Sequence, residues 1–185
     1  AIAGAFVYNR FRSEPISLPI ISSAGDFTLT NQHGKAVSAA DLRDRVWIAN
    51  IVFTRCAGPC PLMTKAMKRL QDSTDPRVHL VTLTTDPDFD SPEVLKRYGK
   101  EAGADFNRWS FLTGSKDQIA RLAVNGLKLV AQEKPPGERE TPADLFIHST
   151  LFVVVDGQGN LRAAFELDDP DLKSKVRQST STLLR

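Results

Sequence analysis

Cys56 and Cys60 are the only cysteines in the chain, and both lie in the stretch FTRCAGPCP, Phe53 to Pro61. A disulfide between them would close a short loop, removing little freedom from the unfolded chain and making a weak staple. Chemistry is the better use of the pair. Two thiols in one loop can attack a disulfide, form a mixed disulfide and resolve it. The C-x-x-x-C spacing adds one residue to the usual redox dithiol and lets the sulfurs separate, which suits two ligands converging on a metal. Soft monovalent copper favours thiolates, and two thiolates with one imidazole make a compact three-coordinate site. Zinc usually takes a fourth ligand or a water.

Three histidines are available: His33, His79 and His148. His33 falls in a polar turn, where solvation explains it. His79 lies inside a strand-like run and reads as packed or surface-facing. His148 stands just before the apolar run Leu151–Val155, at an edge that could approach the cysteine loop, so a ligand role and a bland one remain level on the residues alone. Met63 and Met67 fit the buried stripe of a helix better than a metal shell. Asp86, Asp88 and Asp90 follow a strand-like run; a solvated turn with a helix cap and a site for a cation or partner explain them equally well.

The elements that must position these groups follow from apolar periodicity. VWIANIVF, Val46 to Phe53, is a nearly continuous apolar run and predicts a strand buried on both faces. A helix begins near Pro61, with Leu62, Met63, Ala66, Met67 and Leu70 at helical spacing. Cys56 therefore follows a buried strand and Cys60 opens a helix. The helix amides and positive dipole end, with Arg55 close in sequence, predict a stabilised thiolate pair.

Arg77–Thr85 predicts a second strand. Ser91 and Pro92 open a helix with Val94, Leu95, Tyr98 and Ala102 facing inward, and Gly103 ends it. Trp109–Gly114 is a short strand. Ser115 and Gln118 form a capping box for a helix carrying Ile119, Leu122 and Ala123. Phe27–Val37 reads as a hairpin, residues 132–144 as an exposed loop, and Leu151–Phe165 as two strands about a turn. A last helix carries Leu172 and Val176. This order predicts an α/β fold, a central sheet with helices on its faces.

The chain has 185 residues, 41% hydrophobic and 25% charged, with a formal net charge of +2. That is enough for one domain with a sizeable core. It offers no polybasic run for nucleic acid. Ala1–Tyr8 is apolar but far shorter than the about 20 residues a membrane span needs. It reads either as a frayed terminus or as the last turns of an anchor. The division expected is an anchor stub over 1–12, a linker over 13–25 and one domain over 26–185.

Taken together, FTRCAGPCP, TLTTDPDFDSPEVLKRYG, WSFLTG and HSTLFVVVDGQGNL resemble the Sco/SenC/PrrC family in order and separation. The resemblance covers most of residues 26–170. It implies a thioredoxin-like fold with a mixed sheet, an N-terminal hairpin and an excursion before His148. It implies copper, chiefly monovalent with the divalent ion also admitted, on Cys56, Cys60 and His148. Asp86 and Asp90 match acidic positions linked to the site and to partner interaction.

The same resemblance implies a membrane-tethered metallochaperone rather than an enzyme in the strict sense. It would assist assembly of the dinuclear copper centre of cytochrome c oxidase, with its domain in the bacterial periplasm or the mitochondrial intermembrane space. Its partners would be the copper-accepting oxidase subunit or another copper chaperone, together with thiol-disulfide partners. Two departures stand out: Ala57, Gly58 and Pro59 carry neither charge nor side-chain hydrogen bond between the cysteines, and Phe89-Asp90 replaces a frequent Arg-Asp. The rival readings are a thiol-disulfide oxidoreductase with the dithiol alone, a binding module with a permanent disulfide, and a peroxidase.

Overall fold

The computed structural model describes residues 18–139 and 145–185, with the side chains of Ala131 and His148 outside the description. The expected anchor stub and the first part of the expected linker lie outside the described residues. Among those described, no helix is long and apolar enough to cross a membrane.

Strand β4 (Trp47–Val52) is buried along its whole length and forms the middle of the fold. On one side it pairs in parallel with β5 (His79–Thr84), which pairs in parallel with β6 (Trp109–Thr113). On the other it pairs antiparallel with β9 (Leu151–Val155), which pairs with β10 (Asn160–Glu166). The hairpin β2 (Thr28–Asn31) and β3 (Ala36–Ser38) joins the free side of β6, and β1 (Ser22–Ser23) joins β10. The described sheet thus has eight strands in the order β1-β10-β9-β4-β5-β6-β2-β3.

The two-residue period of β4 separates two cores. Ile48 and Val52 pack with Met63, Met67 and Leu70 of α1 (Cys60–Ser73) and Val176 of α4 (Leu172–Leu183). Trp47, Ala49 and Ile51 pack on the other face with Ile119, Leu122 and Ala123. These last residues lie on α3 (Lys116–Ala120) and its π-helical continuation Arg121–Gly126. Both methionines are fully buried, so their place is the core.

The caps follow the sequence signals. Ser91 Oγ accepts from Val94 N–H at 3.3 Å at the start of α2 (Pro92–Glu101), and Gly103 beyond its end takes φ +72, a left-handed value. Ser115 and Gln118 exchange bonds at 2.9 and 3.2 Å.

Two segments differ from the sequence reading. Ser22 pairs opposite Leu161 and Ala24 is buried, so the end of the stretch read as linker packs into the domain. Part of the stretch read as an exposed loop is a strand: β7 (Ala131–Glu133) pairs antiparallel with β8 (Phe146–His148), with Ala131 opposite His148. Both are very short and polar or mixed, and their pairing rests on backbone bonds to distant residues. No apolar period announces such bonds.

Candidate metal centre

The site is built where β4 ends. Phe53 closes the strand, and Cys56 N–H donates to Phe53 C=O at 3.2 Å, curling the loop back on itself. Gly58 N–H donates to Cys56 Sγ at 3.3 Å. Pro59 takes helical angles at the cap of α1, and its carbonyl accepts from Met63 N–H at 3.0 Å. Cys60 is the first helical residue and is buried, whereas Cys56 is half-buried. Both are thiols, with no disulfide between them.

The expected pair of stabilised thiolates is corrected for Cys60. Burial pushes its thiol well up, and the side-chain hydrogen bond with Cys56 adds to the rise; a backbone hydrogen bond from Phe53 only partly opposes it. Desolvation outweighs the helix end because the sulfur sits inside the core rather than at the solvated mouth. Arg55 does not supply a loose positive charge either. Its Nη2 and Nε meet Asp86 Oδ2 at 2.5 and 3.1 Å, and its guanidinium lies 4.1 Å from the centroid of the Phe89 ring. Phe89 thus gives Arg55 a cation–π seat.

The acidic loop braces the cysteine loop. Asp90 is fully buried and accepts from Thr54 Oγ1 at 2.5 Å, Thr54 N–H at 3.2 Å and Thr84 Oγ1 at 2.5 Å. Burial raises its carboxyl above the usual range although these three bonds oppose the shift. Thr84 Oγ1 also accepts from Asp86 N–H at 2.9 Å, joining the two aspartates. The sequence reading missed Thr54 and Thr84, since threonine in an apolar run reads only as a strand former. It also missed the Thr64–Tyr98 hydroxyl contact at 2.6 Å. Burial, with smaller contributions from Cys60, Cys56 and Asp90, pushes Tyr98 up to about 12, so its hydroxyl stays neutral beside the thiols.

The histidines separate cleanly by position. His79 opens β5, at the end of the strand opposite the acidic loop, about 16 Å away at 3.3 Å per residue. There it contacts Arg45 Nη1 at 2.5 Å, and burial followed by the Arg45 charge lowers its pKa. His33 is exposed in the β2–β3 turn, edge-on to Phe106. His148 ends β8. Its strand is carried to the cysteine loop by Phe146, whose ring meets that of Phe53 edge-on at 5.1 Å. Among the described residues no group of three His, Cys, Asp or Glu forms a metal cage, and the His148 side chain is outside them.

Alkylation should expose the asymmetry of the pair. Limiting iodoacetamide at neutral pH is expected to modify Cys56 at least about tenfold faster than Cys60, because only the thiolate reacts and burial disfavours it at Cys60. The Cys60 rate should climb steeply as pH rises. Mass mapping of early time points checks this, and equal rates would refute the burial account.

The SCO1/SenC family model matches residues 21–183. The chain belongs to the SCO1/SenC family. The match includes the β1 strand that the sequence reading had assigned to a linker. A SCO1 protein homolog of Bacillus subtilis is 34% identical to this SCO1/SenC chain over 152 residues, covering 80% of it and 76% of the relative. A putative copper-binding protein of Stutzerimonas stutzeri is 31% identical over 160 residues, covering 82% and 74%. A solved structure of BsSco, described as a member of the Sco family of cytochrome c oxidase assembly proteins with a disulfide switch, superposes with a TM-score of 0.75. It shares 29% identity and covers 93% of this chain and all of its own. The SCO1/SenC chain accordingly has the family's thioredoxin-like fold, a mixed sheet flanked by helices.

Proposed function

We propose that this SCO1/SenC protein carries copper on Cys56, Cys60 and His148 and serves assembly of the dinuclear copper centre of cytochrome c oxidase. The observation that carries the reading is the adjacency of two thiols at the head of α1 to the strand that bears His148. Phe146 packs on Phe53, and His148 closes the same strand. The donor chemistry supports monovalent copper as cargo, since thiolate and imidazole are ligands it favours. The copper-binding relative and the oxidase-assembly relative support the same class of role.

The mechanism is a handoff. Loading deprotonates both thiols, which then ligate the ion with the His148 imidazole. A three-coordinate ion accepts a ligand from the copper-accepting oxidase subunit, or from another chaperone, before it leaves an old one. Asp90 and Asp86 hold Thr54 and Arg55, the residues leading into Cys56, so the loop keeps its shape through the exchange. A membrane tether in the periplasm or intermembrane space would keep the carrier near its client.

A second reading is thiol-disulfide exchange, favoured by the unequal burial of the cysteines. The Cys56 thiolate would attack a client disulfide, releasing one client thiolate and forming a mixed disulfide. Cys60 would then lose its proton and attack the Cys56 sulfur, expelling the second client thiolate. Two electrons pass to the client and a Cys56–Cys60 disulfide remains.

Anaerobic titration with monovalent copper, before and after oxidation of the thiols, tests the proposal. One ion per reduced chain and loss of tight binding on oxidation are expected. Absence of binding to the reduced protein, with efficient disulfide turnover, would replace it by the exchange reading.

A further inference from the structure

Of Asp86, Asp88 and Asp90, the two that brace the cysteine loop leave Asp88 without a role. It is exposed, and its Oδ2 lies 2.7 Å from Lys116 Nζ. The same ammonium lies 3.7 Å from Oε2 of Glu133, the last residue of β7. Glu133 is held from its other side by Arg139, whose Nη2 meets Oε1 at 3.3 Å and whose Nε donates to Lys134 C=O at 3.0 Å. Lys116 therefore joins the acidic loop, which shapes the cysteine loop, to the strand that pairs with β8.

The two ends of this bridge differ in how firmly they stand. Lys116 opens α3, which is fixed to the body: Ile119 is buried in the core, and Gln118 Nε2 donates to Thr28 C=O at 3.2 Å. The β7–β8 ribbon stands outside the eight-stranded sheet, and a two-stranded ribbon is marginal by itself. On its β8 side, Phe146 packs against the core and the Phe53 ring. On its β7 side, Gln132 and Glu133 are polar and exposed. An open cleft of about 180 Å³ is lined by Thr85, Pro87 and Ile119 of the body, by Glu133 and Phe146 of the ribbon, and by Lys116. The ribbon thus does not lie flush on the body there. Packing secures its β8 edge and charge secures its β7 edge.

We propose that Lys116 is a positioning residue: it clasps the β7–β8 ribbon to the acidic loop and so keeps His148 within reach of Cys56 and Cys60. The inference rests on the copper reading above and deepens it. Each ion pair is exposed and weak alone. Among the described residues β7 has so little else to hold it that a weak clasp still shifts the docked population of the ribbon. A ligand set assembled only in the docked state loses apparent affinity in proportion to that population. The thiols are placed by β4 and α1, which the clasp does not touch, so only the imidazole's share of binding depends on Lys116.

The test makes two measurements on the whole reduced protein. Amide exchange without copper reads the ribbon through Lys134 N–H and Ser149 N–H, which donate to Leu145 C=O and Val130 C=O at 2.8 and 3.1 Å. Lys116→Met and Glu133→Gln should each speed both exchanges about twofold to fivefold, the range for an exposed ion pair, while amides of β4 keep their rates. Anaerobic chelator competition should show a similar weakening of monovalent copper binding. The combined variant should weaken it by less than the product of the two. In a His148→Ala background, Lys116→Met should change nothing further. Unaltered exchange in both variants would overturn the clasp whatever the copper result. Faster exchange with parental copper affinity, or with an equal loss in the His148→Ala background, would overturn the positioning role. Failure of the reduced parent to bind the ion would instead overturn the copper reading, and the positioning role with it.

Discussion

His148→Ala is expected to lower the affinity of the reduced protein for monovalent copper by about two orders of magnitude or more. Loss of an outer partner of a metal ligand already costs about 10–100-fold, and a direct ligand should cost at least as much. The two thiolates would still bind the ion, in a two-coordinate site with no nitrogen donor. Competition against a chromophoric chelator under anaerobic conditions measures the change. Thiol content and unfolding midpoint should remain near those of the parent, since among the described residues β8 is a short strand that pairs with β7 alone. Unchanged affinity would remove His148 from the ligand set and leave the dithiol to act alone.

The second large effect concerns Asp90. Asp90→Ala should destabilise the fold by about 2–4 kcal/mol in denaturant unfolding, because one buried N–H and two hydroxyls lose a charged acceptor together. It should also free the loop that holds Cys56, so Cys60 should become easier to alkylate. The pH dependence has a definite sign. Burial raises the folded carboxyl above its unfolded value, so the folded state holds the proton to higher pH. Asp90 therefore contributes most below the unfolded pKa of about 3.9, and stability falls as pH rises from there through the folded value. Asp90→Asn removes that titration and should flatten the profile in this window. Identical unfolding midpoints for Asp90→Ala and the parent would show that the brace is not structural.

These two residues show where sequence reading stops. Asp90 could be singled out as an acidic residue after a strand, but whether it served a solvated turn and helix cap, a cation or a partner was open. Its role depends on Thr54 and Thr84, which β5 and the cysteine loop bring to it across the sheet. Arg55 is the same case: its nearness in sequence to Cys56 suggested a positive charge for the thiols, while its side chain turns to Asp86 and Phe89. For Cys60, the helix end was legible and the burial was not. Burial depends on what packs over the sulfur, and that comes from other elements.

The amino-acid order alone determined the α1 stripe of Met63, Ala66, Met67 and Leu70, though Leu62, read into that stripe, is exposed; it also determined the caps of α2 and α3, the largely apolar β4 and the cysteine loop that follows it. Those features arise from spacing along one segment, where backbone period and side-chain type suffice. Only the folded chain decided that β8 returns to the cysteine loop, that β1 closes the sheet edge and that Cys60 is held as a buried thiol. Each of these is set by atoms far apart in sequence, through desolvation and hydrogen bonds that exist only once the layers have packed.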